Sequence, residues 1–242
     1  SLSCIKLSNT FKSLIFCCFL FIALTSHPYI WSQQAFSVGL LPTNIVSADF
    51  NRDGLDDIAI TNIGPLGLGQ LTIYLNDQGT FVQSQQFTLG IIPNTANLLL
   101  KAVIGDFNRD GFPDIAVINT ISRRLFVFLN NGNGTFTRQP DIDLSFSPNN
   151  IAVGNFRGLG FQDIVLTSSS TSSFLVLFSN GNGTFTTGPQ IFTPFNPTFV
   201  TTGDVNRDGF DDIIIAYALT DQVGIFINNQ LGSFNQAGNY TV

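Results

Sequence analysis

Glutamate and methionine are absent from this 242-residue chain, histidine and tryptophan occur once each, and cysteine occurs three times. Cys4, Cys17, Cys18 and His27 all lie within the first 27 residues, so everything beyond is free of thiol and imidazole. That excludes disulfide staples and the ligands of zinc or copper sites from the body of the chain. It also removes the usual nucleophile–base pairs and most general acids and bases. Charged residues make up only 11% against 44% hydrophobic, which excludes a disordered polyelectrolyte. With ten Lys and Arg against sixteen acidic residues, the net charge of −6 points to cations and away from nucleic acid.

Every acidic residue is Asp, and only Asp77, Asp141, Asp143 and Asp221 lie outside four copies of one motif. Asp141 and Asp143 share one face of an extended segment and are expected to be solvated rather than a catalytic pair. No enzymatic activity is expected.

Lys6 and Lys12 precede the apolar run LIFCCFLFIAL (14–24), and Thr25 and Ser26 follow. This is the order of a secretory signal, and eleven apolar residues fall short of the roughly 20 that a bilayer span takes. A cleaved leader over 1–34 is expected, with an uncleaved anchor as the alternative, leaving a secreted or extracellular chain over 35–242 with no membrane span in the mature part. Its first residue is Ser1 rather than Met, so at least one residue is expected ahead of it.

The motif reads DFNRDGLDDIAI (49–60), DFNRDGFPDIAV (106–117), NFRGLGFQDIVL (155–166) and DVNRDGFDDIII (204–215). A near-constant step of about 50 residues signals repeat architecture. Each copy is followed by two short segments rich in Ile, Val, Leu and Phe, then by a Gly-containing turn and a Thr-Phe or Ser-Phe pair. With a segment such as NIVSA (44–48) in front, each repeat reads as four short strands without helical periodicity. Four-stranded units at this spacing fit an all-β propeller with blades at about 44–90, 100–147, 149–195 and 198–242. A β-solenoid, whose coils usually run to about 20–30 residues, fits less well.

Read from its first residue, the motif is D-x-N-x-D-G-x-x-D. The candidate ligands are Asp49, Asn51, Asp53 and Asp57, then Asp106, Asn108, Asp110 and Asp114, then Asp204, Asn206, Asp208 and Asp212. Backbone carbonyls of Leu55, Phe112 and Phe210 add a seventh position. Carboxylates converging on one loop repel without a cation, and an all-oxygen set suits Ca²⁺ before Mg²⁺. An Asx-rich turn needing no metal is the alternative for any single loop. Three sites are expected, and none in loop 155–163, where Asn155, Arg157 and Leu159 replace Asp, Asn and Asp. Arg157 either pairs with Asp163 or points into solvent, and the solvent-facing orientation is expected. Arg52, Arg109 and Arg207, at the fourth loop position, are expected to be solvated charge rather than a rim for an anionic glycan.

These loops, the turn NGNGTF (131–136), and the elements FSVG (36–39) and FTLG (87–90) resemble FG-GAP/VCBS repeats. Those are the propeller repeats of integrin α-subunit heads and of many secreted proteins. The resemblance covers about 36–242. It implies a loop that joins the first two strands of a blade and binds Ca²⁺, carried over for loops one, two and four and not for loop three. The implied role is a secreted recognition or adhesion module for a protein or glycan ligand. The alternatives are a lectin-like propeller and a non-catalytic propeller attached to a secreted carbohydrate- or lipid-acting enzyme. Such propellers commonly have seven blades, whereas four repeats and an extra strand near 36–39 are visible here. Closure of four blades, part of a larger propeller and self-association of protomers therefore all stay open. Sequons at Asn133, Asn182 and Asn239 make a glycoprotein an expectation.

Overall fold

The computed structural model describes residues 37–91 and 100–241. The leader expected over 1–34 and Phe36 lie outside them. Each repeat forms one antiparallel sheet in the order first to fourth strand. Blade one contains β1 (Pro42–Ala48), β2 (Asp57–Ile63), β3 (Leu68–Asp77) and β4 (Thr80–Ile91). Blade two contains β5 (Leu100–Gly105), β6 (Asp114–Asn119), β7 (Arg124–Asn130) and β8 (Phe136–Arg138), with β9 (Ile142–Asp143) also paired to β7. This outer strand is interrupted between Arg138 and Ile142. Blade three contains β10 (Asn150–Gly154), β11 (Asp163–Ser168), β12 (Ser173–Ser179) and β13 (Phe185–Phe192). Blade four contains β14 (Phe199–Gly203), β15 (Asp212–Tyr217), β16 (Gln222–Asn228) and β17 (Phe234–Thr241). Residues 37–39 are not a strand, so the extra strand expected near 36–39 is absent from the described part of that segment.

The hairpins follow their turn residues. In blade one, Asp77 pairs with Thr80 around Gln78 and Gly79, both left-handed at φ 52° and 95°, as a two-residue turn requires. The turns of blades two and three are longer and are closed by Asn131 N–H to the Thr135 carbonyl and Asn180 N–H to the Thr184 carbonyl.

The sheets stack in chain order as blades of a β-propeller. Successive first strands adjoin, β1 with β5, β5 with β10 and β10 with β14, whereas no comparable contact joins β14 to β1. Each blade therefore has a leading face toward the next blade and a trailing face toward the previous one. Three apolar cores fill the junctions. One holds Leu71 and Ile73 against Phe126 and Phe128; the next holds Leu125 and Val127 against Leu175 and Leu177; the third holds Phe174 and Val176 against Ile213 and Phe226.

Covered on both faces, β2, β6 and β11 are buried along their whole length. In β15 alternate residues are only half-buried, because its leading face is open. Phe50, Phe107 and Phe156, the second residue of the first three loops, each meet edge-on the Phe that opens the next blade's outer strand. The partners are Phe136, Phe185 and Phe234, at centroid distances of 5.2, 5.5 and 5.1 Å. This explains why the motif Phe and the Thr-Phe pair recur together.

Candidate functional site

Each Asp loop joins the first and second strands of a blade at one end of the sheet. In each blade the last residue of the first strand pairs with the ninth loop residue: Ala48 with Asp57, Gly105 with Asp114, Gly154 with Asp163 and Gly203 with Asp212. The chain between them turns through left-handed residues at the fourth and sixth positions. Arg52, Arg109 and Arg207 have φ of 60°, 63° and 64°, and Gly54, Gly111 and Gly209 have φ of 87°, 77° and 90°. Gly suits its position, while the arginines are held there by the surrounding hydrogen bonds.

Those bonds are nearly the same in loops one, two and four. Asp49 Oδ2 accepts from Gly54 N–H at 2.9 Å, Asn51 Oδ1 from Asp53 N–H at 3.0 Å, and Asp53 Oδ1 from Leu55 N–H at 2.8 Å. Asp106, Asn108 and Asp110 repeat the set on Gly111, Asp110 and Phe112. Asp204, Asn206 and Asp208 repeat it on Gly209, Asp208 and Phe210. Gly209 N–H leads the hydrogen bonds that hold the Asp204 carboxyl below its ordinary range.

The ninth residue behaves differently, in a way that spacing alone did not show. Asp57, Asp114 and Asp212 are fully buried. Asp114 takes Phe107 N–H at 2.9 Å and Asn130 N–H at 2.8 Å, tying the loop to the end of the third strand. Asp57 does the same with Phe50 and Asn76, and Asp212 with Val205 and Asn228. Burial first, then the charges of Asp110 and Asp106, push the Asp114 carboxyl up to about 7. Asp57 is raised by the same causes, burial ahead of Asp53 and Asp49.

The ligand set read from the sequence is therefore gathered only in part. Positions one, three and five share the loop, while position nine turns beneath it onto backbone N–H groups. Among the described residues no three His, Cys, Asp or Glu side chains stand close enough to hold a metal by themselves.

Loop three corrects one expectation. Arg157 does not point into solvent. Its Nη2 donates to Asp163 Oδ1 at 2.6 Å and to the Ser179 carbonyl at 2.6 Å, and its Nε donates to Asp163 Oδ2 at 3.1 Å. The guanidinium also lies 4.9 Å from the Phe178 ring. Asp163 is 2% exposed, and a buried carboxylate without a partner is costly, so the pairing outweighs hydration of the arginine. Burial still raises the Asp163 carboxyl, against the pull of Arg157 and Ser179 N–H. Asp163 keeps the ninth-position role that the other loops have, which accounts for its survival in an otherwise altered loop.

Two of the fourth-position arginines, Arg52 and Arg109, are also more than solvated charge, whereas Arg207 is exposed as expected. Arg52 Nη2 donates to the Gly111 carbonyl at 2.8 Å, with its guanidinium 3.8 Å from the Phe112 ring, so it crosses to the loop of blade two. Arg109 lies beside Gly160 of blade three, where an added Cβ would sit 3.3 Å from its Nε. Asp141 and Asp143 are not bare either. Arg138 pairs with Asp141 at 2.7 Å and Arg124 with Asp143 at 2.9 Å. Asn133 and Asn182 are exposed in their turns, where each Oδ1 accepts from Thr135 or Thr184. Among the described residues no helix is long and apolar enough to cross a membrane.

The family model for FG-GAP-like repeats matches this chain three times, over residues 49–117, 106–165 and 158–215. The chain belongs to the FG-GAP-like repeat family. Each match begins at or near an Asp loop, and the last two begin at or near a loop in which the previous match has run on. The repeats are 28% identical to integrin alpha-6 of Homo sapiens over 113 residues, which is 43% of this chain and 10% of that protein. Two solved structures share the fold at 13% identity, each covering 83% of this chain and 55% of its own. One is BBS1N in complex with ARL6DN, with a TM-score of 0.56. The other is a putative 6-phosphogluconolactonase from Bacteroides uniformis, with a TM-score of 0.57. The FG-GAP chain thus spans about half the length of these structures and a tenth of the integrin chain.

Proposed function

We propose that this chain is an extracellular recognition or adhesion module, secreted and non-catalytic. Loops one, two and four hold Ca²⁺, and a propeller face binds a protein or glycan partner. The observation that carries the calcium reading is Arg157. In the one loop that lost the Asp pattern, a fixed positive charge covers the ninth carboxylate. Among the described residues, loops one, two and four leave the equivalent carboxylate with no cationic partner. Their donors are all oxygen, which suits a hard ion of flexible coordination.

In this reading Asp49, Asn51, Asp53, Asp57 and the Leu55 carbonyl serve the first ion. Asp106, Asn108, Asp110, Asp114 and the Phe112 carbonyl serve the second; Asp204, Asn206, Asp208, Asp212 and the Phe210 carbonyl serve the third. Bound Ca²⁺ supplies positive charge that lets all three carboxylates of a loop stay ionised, and the residues then hold the loop against the third strand. Membership of the FG-GAP-like family and the partial likeness to an integrin α chain support the recognition role. The scarcity of acid–base and nucleophilic groups beyond the leader supports a binding module over an enzyme.

Thermal melts with and without a chelator test the reading. At a hundredfold excess of Ca²⁺ over its dissociation constant each site contributes about 2.7 kcal/mol, so the chelated protein is expected to melt at a clearly lower temperature. An unchanged midpoint contradicts the calcium role.

A further inference from the structure

Loops two and four have nearly the same sequence, DFNRDGFPD (106–114) and DVNRDGFDD (204–212), yet the blade before each supports it differently. Loop two receives Arg52 from loop one. The Arg52 Nη2 donates to the Gly111 carbonyl at 2.8 Å, and the guanidinium lies 3.8 Å from the Phe112 ring. The same ring meets the hairpin turn of its own blade, where a Cβ on Gly132 would stand 2.5 Å from it. Loop four has no counterpart of this brace. The fourth position of loop three is Gly158, and a Cβ there would stand 3.0 Å from the Phe210 ring, so Phe210 rests on bare backbone.

Arg52 is in turn fixed by loop one. It stands left-handed at φ 60° between Asn51 and Asp53, and Asp53 N–H donates to Asn51 Oδ1 at 3.0 Å and to Asp49 Oδ1 at 3.1 Å. The oxygen donors of loop one thus hold the backbone from which Arg52 reaches across. At its far end Arg52 grips the Gly111 carbonyl and the Phe112 ring, next to the Phe112 carbonyl that is the seventh-position donor of loop two. A peptide held before an ion arrives loses less freedom when the ion binds. The guanidinium charge opposes a second cation only weakly, because this contact is exposed and screened by water. Arg109 makes the same reach toward Gly160, but loop three lacks the ligand set and already contains Arg157.

We infer that Arg52 is a positioning residue for the ion site of the neighbouring blade, and that it couples loops one and two. Loop one, once its donors are gathered on an ion, holds Arg52 and so presents loop two in its binding shape. By linkage loop two strengthens loop one to the same degree. Loop four, behind Gly158, is left to bind independently. The inference rests on the calcium reading of the Asp loops and adds to it a coupling confined to one junction.

The test is a Ca²⁺ titration of the whole chain labelled with ¹⁵N-glycine. The amide signals of Gly54, Gly111 and Gly209, each bonded to the first carboxylate of its loop, report loops one, two and four separately. Arg52→Ala is expected to move the Gly111 midpoint to about fivefold higher Ca²⁺ and to leave that of Gly209 unchanged. Asp53→Ala, which removes a donor of loop one, is expected to raise the Gly111 midpoint in the parent but not in the Arg52→Ala background. A Gly111 shift below about twofold in Arg52→Ala, or one matched by Gly209, overturns the inference and leaves the calcium reading standing. So does an Asp53→Ala effect on Gly111 that persists without Arg52. Glycine signals that do not respond to Ca²⁺ in the parent overturn both.

Discussion

Arg157 and Asp163 form a two-pronged ion pair in the third Asp loop, with Nη2 to Oδ1 at 2.6 Å and Nε to Oδ2 at 3.1 Å. The carboxylate also takes Ser179 N–H at 2.8 Å, so loop, guanidinium and third strand are joined at one buried point. Among the described residues no other Asp loop carries its own cation there. The relation places a permanent charge where the other loops depend on one from solution.

Arg157→Ala is expected to destabilise the chain by about 2–3 kcal/mol, below the roughly 3–5 kcal/mol of a fully buried pair because Arg157 is 24% exposed. Asp163→Asn added to Arg157→Ala should recover part of the loss by removing the unpaired charge. Denaturant midpoints of the two variants check this. A neutral Arg157→Ala contradicts the role given to the pair.

The blade junctions predict a contrast between two residues at the same loop position. Phe107→Ala opens a cavity between blades two and three and should cost about 3–5 kcal/mol. Val205→Ala, on the open face of blade four, should change stability by less than about 0.5 kcal/mol. Equal effects in denaturant unfolding count against the assignment of leading faces.

Asp114 predicts a pH dependence in the chelated protein. Its carboxyl is pushed up to about 7 in the fold, above its ordinary value of 3.8, so the folded state holds this proton more tightly than the unfolded chain. Its contribution is fully present below about pH 4 and is lost as pH rises toward 7. Chelated protein should therefore lose stability between pH 4 and 7, and saturating Ca²⁺ should flatten that slope. Melts across this range, with and without Ca²⁺, read both trends.

Much of this was legible in the sequence, because a propeller blade is written locally. The repeat step, the short Ile- and Val-rich strands and the Gln78–Gly79 turn all act within one repeat. The features that escaped reading act between repeats or depend on depth. The Phe50–Phe136 contact joins different blades, so neither Phe reveals its partner. Arg52 reads as surface charge until the Gly111 carbonyl is seen beneath it. Arg157 reads as exposed because its loop is exposed, whereas Asp163, which decides its orientation, is buried by the stacking of blades three and four. The ninth-position Asp was read as a ligand like the others. Its bonds to two backbone N–H groups depend on where the third strand ends, which spacing within the loop does not encode.

The central claim is that the Asp pattern is what binds the ion, and a count of bound Ca²⁺ tests it most directly. Calorimetric titration or metal analysis of the parent chain should give three ions. The triple variant Asn155→Asp, Arg157→Asn, Leu159→Asp restores the full set around Gly160 and Asp163 and should give four. A parent that already binds four ions, or a triple variant that gains none, contradicts the account.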